Sequence, residues 1–215
     1  QVQYFACGEE KFPVLLEELK KAEKFIFLEY FIVEEGYMWG SVLEILKEKA
    51  AAGVEVRFMY DGMCSISLLP PDYPKKIRRF GIQCKMFSPI RPVLSTTQNN
   101  RDHRKICVID GKTGFTGGIN LEMNISTGKN GSGTGKILRH DQGDAVLSLT
   151  MLFLQMWNVS ELKKEKFEPY LTTMAKELKP ETGLCSPTGT VRTIMKRRGG
   201  SVCAYLNHAK NMCIL

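Results

Sequence analysis

Six residues between positions 103 and 120 have the types and the spacing to act on a phosphate group. They are His103, Lys105, Asp110, Gly117, Gly118 and Asn120. An imidazole can act as a nucleophile, and a neighbouring ammonium group can stabilise negative charge that develops on a phosphate oxygen. Glycines let the backbone approach a ligand closely, and an asparagine amide can donate a hydrogen bond to it. The pattern H-x-K-x4-D-x6-G-G-x-N therefore predicts phosphate chemistry.

Each of these residues taken alone also has an ordinary structural explanation. A single histidine on a strand is usually a structural residue, and an Asp-Gly pair such as the one at 110–111 is typical of a hairpin turn. Asp110 can therefore either orient a base or cap the turn. A Gly-Gly pair before asparagine is common in loops. The functional interpretation depends on the complete spacing rather than on any one residue.

The residues around the motif predict the element that carries it. The stretches "HRKICVID" and "TGFTGG" are typical of two strands joined by a tight glycine turn, which together make a hairpin. Side chains alternate between the two faces of a strand. We therefore expect His103, Lys105 and Cys107 to lie on one face, where the imidazole and the ammonium group meet.

Upstream of the hairpin, helices and strands alternate. Apolar residues at helical spacing predict amphipathic helices over 9–23 and 38–52, and an apolar helix over 145–157 follows the hairpin. Buried strands are predicted from "KFIFLEYFIVE", "VEVRFMYDG" and "IQCKMF". The short connections imply parallel strands with helices packed across them. The sequence therefore predicts an α/β fold.

The composition is that of a globular protein. The chain has 215 residues, 43% of them hydrophobic, which is enough to bury a sizeable core. No stretch approaches the roughly 18–20 apolar residues that cross a bilayer. Seven scattered cysteines without a C-x-x-C pair argue against a zinc site and against a disulfide framework.

The positive charge is confined to two segments. The formal net charge of +7 would by itself favour an anionic partner such as nucleic acid or an acidic membrane surface. Segments 123–140 and 185–211 together carry eight basic and no acidic residues, so the rest of the chain is close to neutral. The basic residues therefore form no electrostatic footprint for nucleic acid around the motif.

The complete spacing resembles the signature of the phospholipase D superfamily. The stretches "KFIFLEYFIVEEGYMWGSVLEILKEKAAAGVEVRFMYDG", "PIRPVLSTTQNNRDHRKICVIDGK" and "LSLTMLFLQMWN" are similar to the first half of bacterial cardiolipin synthases. The resemblance implies a phospholipase-D-like α/β domain over 1–178, with a mixed or mostly parallel sheet flanked by helices. It also implies that 179–215 is a poorly ordered linker with the truncated start of a second repeat.

The resemblance implies phosphatidyl transfer that uses no metal or other cofactor. His103 would attack the phosphorus of a phospholipid such as phosphatidylglycerol and form a phosphohistidine, which an acceptor alcohol would then resolve. Lys105 and Asn120, with the Gly117–Gly118 pair, would bind the phosphate. Asp110 would support the site. The family also implies a location at the cell membrane.

A catalytic centre in this family needs two such motifs facing each other, with the second histidine as general acid and base. This sequence holds one motif, so a second half or a homodimer partner is needed for a complete site. Two alternatives remain open. The chain can be a single-motif phosphodiesterase or nuclease that acts as a homodimer, or a non-catalytic remnant.

Two segments depart from the family pattern. In the atypical loop over 122–142, a stretch resembling E-Y-I-N…R-F-G-x-W-K-D-T is missing, together with the acid that pairs with the histidine. Codons for this loop and for 184–196 can be chosen so that another reading frame restores family-like peptides. One hypothesis is that the reading frame slips near 122 and again near 184. The alternative is a genuine divergent loop, and the coding DNA decides between them.

Overall fold

A mixed sheet forms the centre of the chain in a computed structural model, which describes residues 2–89, 101–122, 137–141, 143–159, 161 and 165–170. The strands are β1 (Val2–Phe5), β2 (Phe25–Tyr30), β3 (Glu55–Asp61), β4 (Gln83–Phe87), β5 (Ile106–Ile109), β6 (Thr113–Gly117) and β7 (Ile137–Asp141). The helices are α1 (Gly8–Lys20), α2 (Tyr37–Ala51), α3 (Cys64–Ser67), α4 (Tyr73–Arg78) and α5 (Asp144–Val159). All of these elements lie in a compact unit of Gln1–Glu165.

The strands follow the order β1-β7-β6-β5-β2-β3-β4. The pairs β2–β3 and β3–β4 are parallel, as the short helical connections predicted. The hairpin strands and β1 add antiparallel pairs on the other side of β2. The predicted α/β fold with a mixed sheet flanked by helices is thereby confirmed.

The register of β5 against β2 decides which edge of the sheet carries the motif. Ile106 pairs with Glu29 and Ile109 pairs with Ile26, so β5 runs opposite to β2. The residues just before Ile106 therefore lie at the carboxyl edge of the parallel strands, where open α/β sheets bind ligands. Thr116 pairs with Ile106, which brings the end of β6 to the same edge.

Helices cover both faces of the sheet because successive strand residues point to opposite sides. On one side, the ring of Phe58 in β3 stacks on Trp39 of α2, with ring centroids 4.5 Å apart. On the other side, Phe27 of β2 stacks on Phe153 of α5, with ring centroids 4.7 Å apart. The two aromatic contacts hold helices α2 and α5 against opposite faces of the sheet. The polar residues are therefore carried at the ends of the strands.

Three elements were not predicted from the sequence, namely β1, α3 and β7. Each is at most five residues long, too short for a periodic pattern to show. Strand β7 falls within the segment predicted as an atypical loop over 122–142, and it pairs with β6 and β1. The rest of that loop, 123–136 and 142, lies outside the described residues, as do the predicted domain boundary at 178 and the predicted linker over 179–215.

Two glycines should respond in opposite ways to alanine. A Cβ at Gly62, just after β3, would lie 2.5 Å from the backbone oxygen of Ser88, whereas a Cβ at Gly40 in α2 would meet nothing within 4 Å. We expect Gly62→Ala to lower the free energy of unfolding by about 1–3 kcal/mol through overpacking. Gly40→Ala should raise it by up to about 1 kcal/mol, because alanine favours a helix more than glycine does. Urea denaturation of both variants measures the difference, and equal effects would contradict it.

Candidate active site

The carboxyl edge of the sheet brings together most of the motif residues. His103 and Lys105 lie just before the first residue of β5, and Gly117 and Asn120 lie at the end of β6 and in the loop after it. The strand begins later than the predicted "HRKICVID", at Ile106. His103 is exposed, whereas Lys105 is only 3% exposed. The imidazole therefore faces solvent and the ammonium group lies beneath it.

Phe31, the residue directly after β2, joins the two motif side chains. Its ring centroid lies 4.7 Å from that of the His103 imidazole, at an interplanar angle of 54°. The Lys105 Nζ lies 5.2 Å from the same phenyl ring centroid and donates a hydrogen bond of 2.6 Å to the carbonyl oxygen of His103. Both side chains therefore lie near one aromatic ring, which the sequence did not single out.

The buried position of Lys105 affects its charge. Burial lowers the pKa of the Lys105 ammonium to about 8, although the negative charges of Asp102 and Glu122 oppose this shift. At neutral pH the group stays mostly protonated. A protonated amine that is partly stripped of water can bind an anionic phosphate oxygen more strongly than a fully hydrated one.

We expect the affinity of this edge for a phosphodiester to fall as the pH rises through about 8, because Lys105 loses its proton there. A diester keeps its single negative charge over this pH range, so the change in affinity must come from a group on the protein. Isothermal titration calorimetry with a soluble dialkyl phosphate measures the effect. Lys105→Arg should remove the pH step, because a guanidinium group stays protonated. The same step in this variant would contradict the assignment to Lys105.

Asn120 links the hairpin to the segment after β2. Its Oδ1 accepts a hydrogen bond of 3.1 Å from the backbone N–H of Ile32, and its Nδ2 donates one of 3.0 Å to Oε1 of Glu122. An incoming phosphate would therefore compete with Glu122 for the amide. Gly117 adopts a φ of 153°, a conformation that favours glycine, whereas Gly118 has no positive φ.

Asp110 lies at the opposite edge of the sheet from His103. Its carboxylate accepts three hydrogen bonds of 2.7–2.9 Å from the backbone N–H groups of Glu23, Lys24 and Phe25. Its φ of 54° lies in the left-handed region, which aspartate tolerates better than most residues. The structure therefore places Asp110 as an anchor between the hairpin and the start of β2.

A second cluster of charged residues, which sequence reasoning did not find, holds the segment 101–104. Asp61 at the end of β3 accepts hydrogen bonds of 3.2 Å from Nη1 of Arg101 and from the backbone N–H of Asp102. The Asp102 carboxylate accepts from Nε of Arg104 at 3.0 Å, and the same Nε lies 2.8 Å from Oε1 of Glu29. Glu29, a charged residue within the apolar stretch "KFIFLEYFIVE", was the signal in the sequence that could have indicated this cluster.

Cys107 of β5 is fully buried. Burial raises the pKa of the Cys107 thiol to about 12, so this residue behaves as a packing residue beneath the hairpin. Within the described ranges, no cluster of three or more His, Cys, Asp or Glu side chains has the arrangement to hold a metal ion. In the same ranges, no helix is long and apolar enough to span a membrane.

Comparisons with known proteins identify the family of this chain. The family model described as "Cardiolipin synthase, PLD-like domain" matches residues 15–133. An uncharacterised protein of Streptococcus mutans is 50% identical over 176 residues, which cover 80% of this chain and 37% of that protein. A cardiolipin synthase of Geobacillus sp. is 42% identical over 152 residues, which cover 70% of this chain and 30% of that enzyme. The chain thus spans about a third of the length of these relatives.

Two solved structures share the fold at low sequence identity. NucT from Helicobacter pylori matches with a TM-score of 0.54 and 16% identity, covering 73% of this chain and 95% of that one. Nuc from Salmonella typhimurium, a phospholipase D family member, matches with a TM-score of 0.51 and 20% identity, covering 74% of this chain and 93% of that one. These two matches concern the fold, whereas the family model and the relatives show that the chain belongs to the cardiolipin synthase family of phospholipase-D-like proteins.

Proposed function

We propose that this chain supplies one half of a phosphatidyltransferase site, with His103 as its nucleophile. The observation that carries the proposal is an exposed His103 whose imidazole packs on Phe31, while the buried ammonium group of Lys105 lies near the same ring and donates to the His103 carbonyl oxygen. A nucleophile that solvent and substrate can reach, with a fixed cation next to it, suits attack on a phosphodiester. The membership of the chain in the cardiolipin synthase family supports phospholipid as the substrate class.

The reaction has two steps. In the first, an imidazole nitrogen of His103 forms a bond to the phosphorus of phosphatidylglycerol, the bond from phosphorus to the glycerol oxygen breaks, and the leaving glycerol takes up a proton. In the second, the hydroxyl of another phosphatidylglycerol gives up its proton to a general base, its oxygen forms a bond to the phosphorus, the P–N bond breaks and cardiolipin is released. Lys105 stabilises the phosphoryl oxygens in both steps, because its charge lies where negative charge increases.

The proton donor must come from elsewhere. Among the described residues, the carboxylate of Asp110 lies at the other edge of the sheet and cannot reach the leaving group at His103. We infer that a second motif, on another half or on a second copy of the chain, contributes a histidine as general acid and base. The complete site would act at a membrane surface, where its phospholipid substrate is found.

A second candidate function is phosphodiester hydrolysis by a homodimer. It is favoured by the fold match to Nuc and NucT, of which this chain covers 93% and 95%, so that one copy of the fold accounts for nearly the whole of each. The same His103 and Lys105 geometry would serve this reaction, with water as the acceptor. The two candidates differ in substrate and product rather than in the chemistry of the first step.

Product analysis separates the two functions. The purified chain is incubated with vesicles of phosphatidylglycerol, and in parallel with a soluble phosphodiester and with DNA, while native mass spectrometry reports its oligomeric state. Cardiolipin with released glycerol supports the transferase. Cleavage of the soluble diester or of DNA by a dimer, without cardiolipin, supports the hydrolase instead. A folded dimer that turns over none of these substrates would contradict the hydrolase, and it would exclude a second copy of the chain as the other half of the transferase site.

A further inference from the structure

Two buried carboxyl groups lie behind the segment that carries His103, and neither belongs to the motif. Glu29 on β2 is 1% exposed, and Asp102, the residue before His103, is 8% exposed. The Nε atom of Arg104 lies 2.8 Å from Oε1 of Glu29 and 3.0 Å from Oδ1 of Asp102, which brings the two carboxyl groups close together. Two carboxyl groups therefore share one cation in a place with little water.

Hydrogen-bond donors are distributed unequally between the carboxyl groups of Asp102 and Glu29. The Asp102 carboxylate accepts hydrogen bonds from the backbone N–H of Arg104 at 3.3 Å and from its Nε at 3.0 Å. Neither oxygen of Glu29 receives a hydrogen bond of acceptable geometry from any donor among the described residues, although Arg104 is close. A buried carboxylate without a donor is costly, whereas a protonated carboxyl group can itself donate. The proton therefore belongs on Glu29, with Asp102 as acceptor.

Electrostatics favour the same arrangement. Burial, followed by the hydrogen bond and negative charge of Asp102, raises the pKa of Glu29 well above its usual value, and Arg104 only partly offsets this. Burial would also raise the pKa of Asp102, but hydrogen bonds from Glu29 and Arg104 outweigh it, and the pKa of Asp102 is lowered. In a pair of adjacent carboxyl groups, one pKa is commonly raised and the other lowered. The reason is that two negative charges at short distance repel each other, so the two groups do not both ionise readily.

We propose that Glu29 is a positioning residue for His103, acting as the neutral, proton-donating member of a carboxyl pair with Asp102. The Asp102 side chain and Glu29 of β2 share the guanidinium group of Arg104, and the backbone N–H of Asp102 is bound to β3 through Asp61. The adjacent peptide bond to His103 is thereby held from two strands. The functional importance of this position rests on the proposed role of His103, whereas the protonation of Glu29 does not.

The pair also makes the stability of the folded chain depend on pH. Among the described residues, the charged groups that act on Glu29 are Asp102 and Arg104, with Asp61 and Arg101 beyond Asp102. When Glu29 ionises, two carboxylates face one guanidinium group and the Glu29–Asp102 hydrogen bond is lost. Because the folded state keeps a proton that the unfolded state has released, stability falls as the pH rises through the raised pKa of Glu29.

Carboxyl spectroscopy tests the protonation directly. In protein with 13C-labelled glutamate side chains, infrared and NMR spectra near pH 7 should show a glutamic acid that is still protonated, although a free glutamate ionises at about 4.3. Glu29→Gln should remove that signal. Glu55→Gln is a matched control, because Glu55 pairs with Arg57 at the other end of the sheet and its loss should leave the signal unchanged. A wild-type spectrum without a protonated glutamate at neutral pH would overturn the proposal.

The positioning role needs a second readout, which is the NMR signal of the His103 ring. Glu29→Gln keeps a neutral hydrogen-bond donor, so His103 should keep its wild-type chemical shifts, whereas Glu29→Leu should displace them. If the glutamine variant moves them as far as the leucine variant does, the proposal is wrong. Neither measurement needs turnover, so absence of cardiolipin formation by the wild-type chain would count against the proposed function only and not against the protonation of Glu29. With an active assembly, Glu29→Leu should lower kcat with little change in KM, and Glu29→Gln should retain kcat.

Discussion

Replacing His103 by glutamine is expected to reduce phosphatidyl transfer to the background rate, a loss of at least about 10³-fold. The imidazole supplies the only nucleophile of the proposed reaction on this half, and glutamine cannot form the phosphoramidate bond. The residue is exposed, so its removal should scarcely affect stability. Intact-protein mass spectrometry after incubation with phosphatidylglycerol should show a phosphatidyl adduct on the wild-type chain and none on the variant.

The matched control for this experiment is Lys75→Gln, which removes an exposed charge from helix α4. It should retain the adduct and the turnover, since α4 precedes β4 and contributes no residue to the motif. Circular dichroism checks that both variants fold. If His103→Gln still carries the adduct, the nucleophile is another residue, and the assignment of His103 is wrong.

Replacing Asp110 by alanine is expected to lower the free energy of unfolding by at least about 3 kcal/mol. Three backbone N–H groups, those of Glu23, Lys24 and Phe25, lose their acceptor at once. The backbone at this position also has a φ of 54°, which alanine adopts less readily than aspartate does. Urea denaturation followed by circular dichroism measures the loss.

Asp110→Asn separates the contributions at this position. Asparagine tolerates the same backbone conformation and keeps one carbonyl oxygen as an acceptor, so the loss should be clearly smaller than for alanine. Where the asparagine variant remains folded, the chemistry at His103 should persist, because Asp110 acts from the opposite edge of the sheet. A wild-type stability for the alanine variant would contradict the anchoring role.

Much of the architecture is encoded locally. Helices α1 and α2 correspond to the helical spacing over 9–23 and 38–52. Strands β2 and β3 correspond to the β-rich stretches that follow these two segments. These elements follow from the sequence because amphipathic periodicity reports directly on which side chains must be buried. The short β1 and β7 could not be predicted in this way. They exist because β1 pairs with β7 and β7 pairs with β6, and these contacts join distant parts of the chain.

The sequence by itself determined the identity of the motif residues and the hairpin that carries them, because their spacing is a local property. It left open whether Asp110 orients a base or caps the turn. Only the tertiary structure shows where Asp110 lies, since the antiparallel register of β5 on β2 places His103 and Asp110 at opposite ends of the strand. The same register brings Phe31 to His103 and Glu29 to Arg104, and no local pattern records a contact between residues some seventy positions apart.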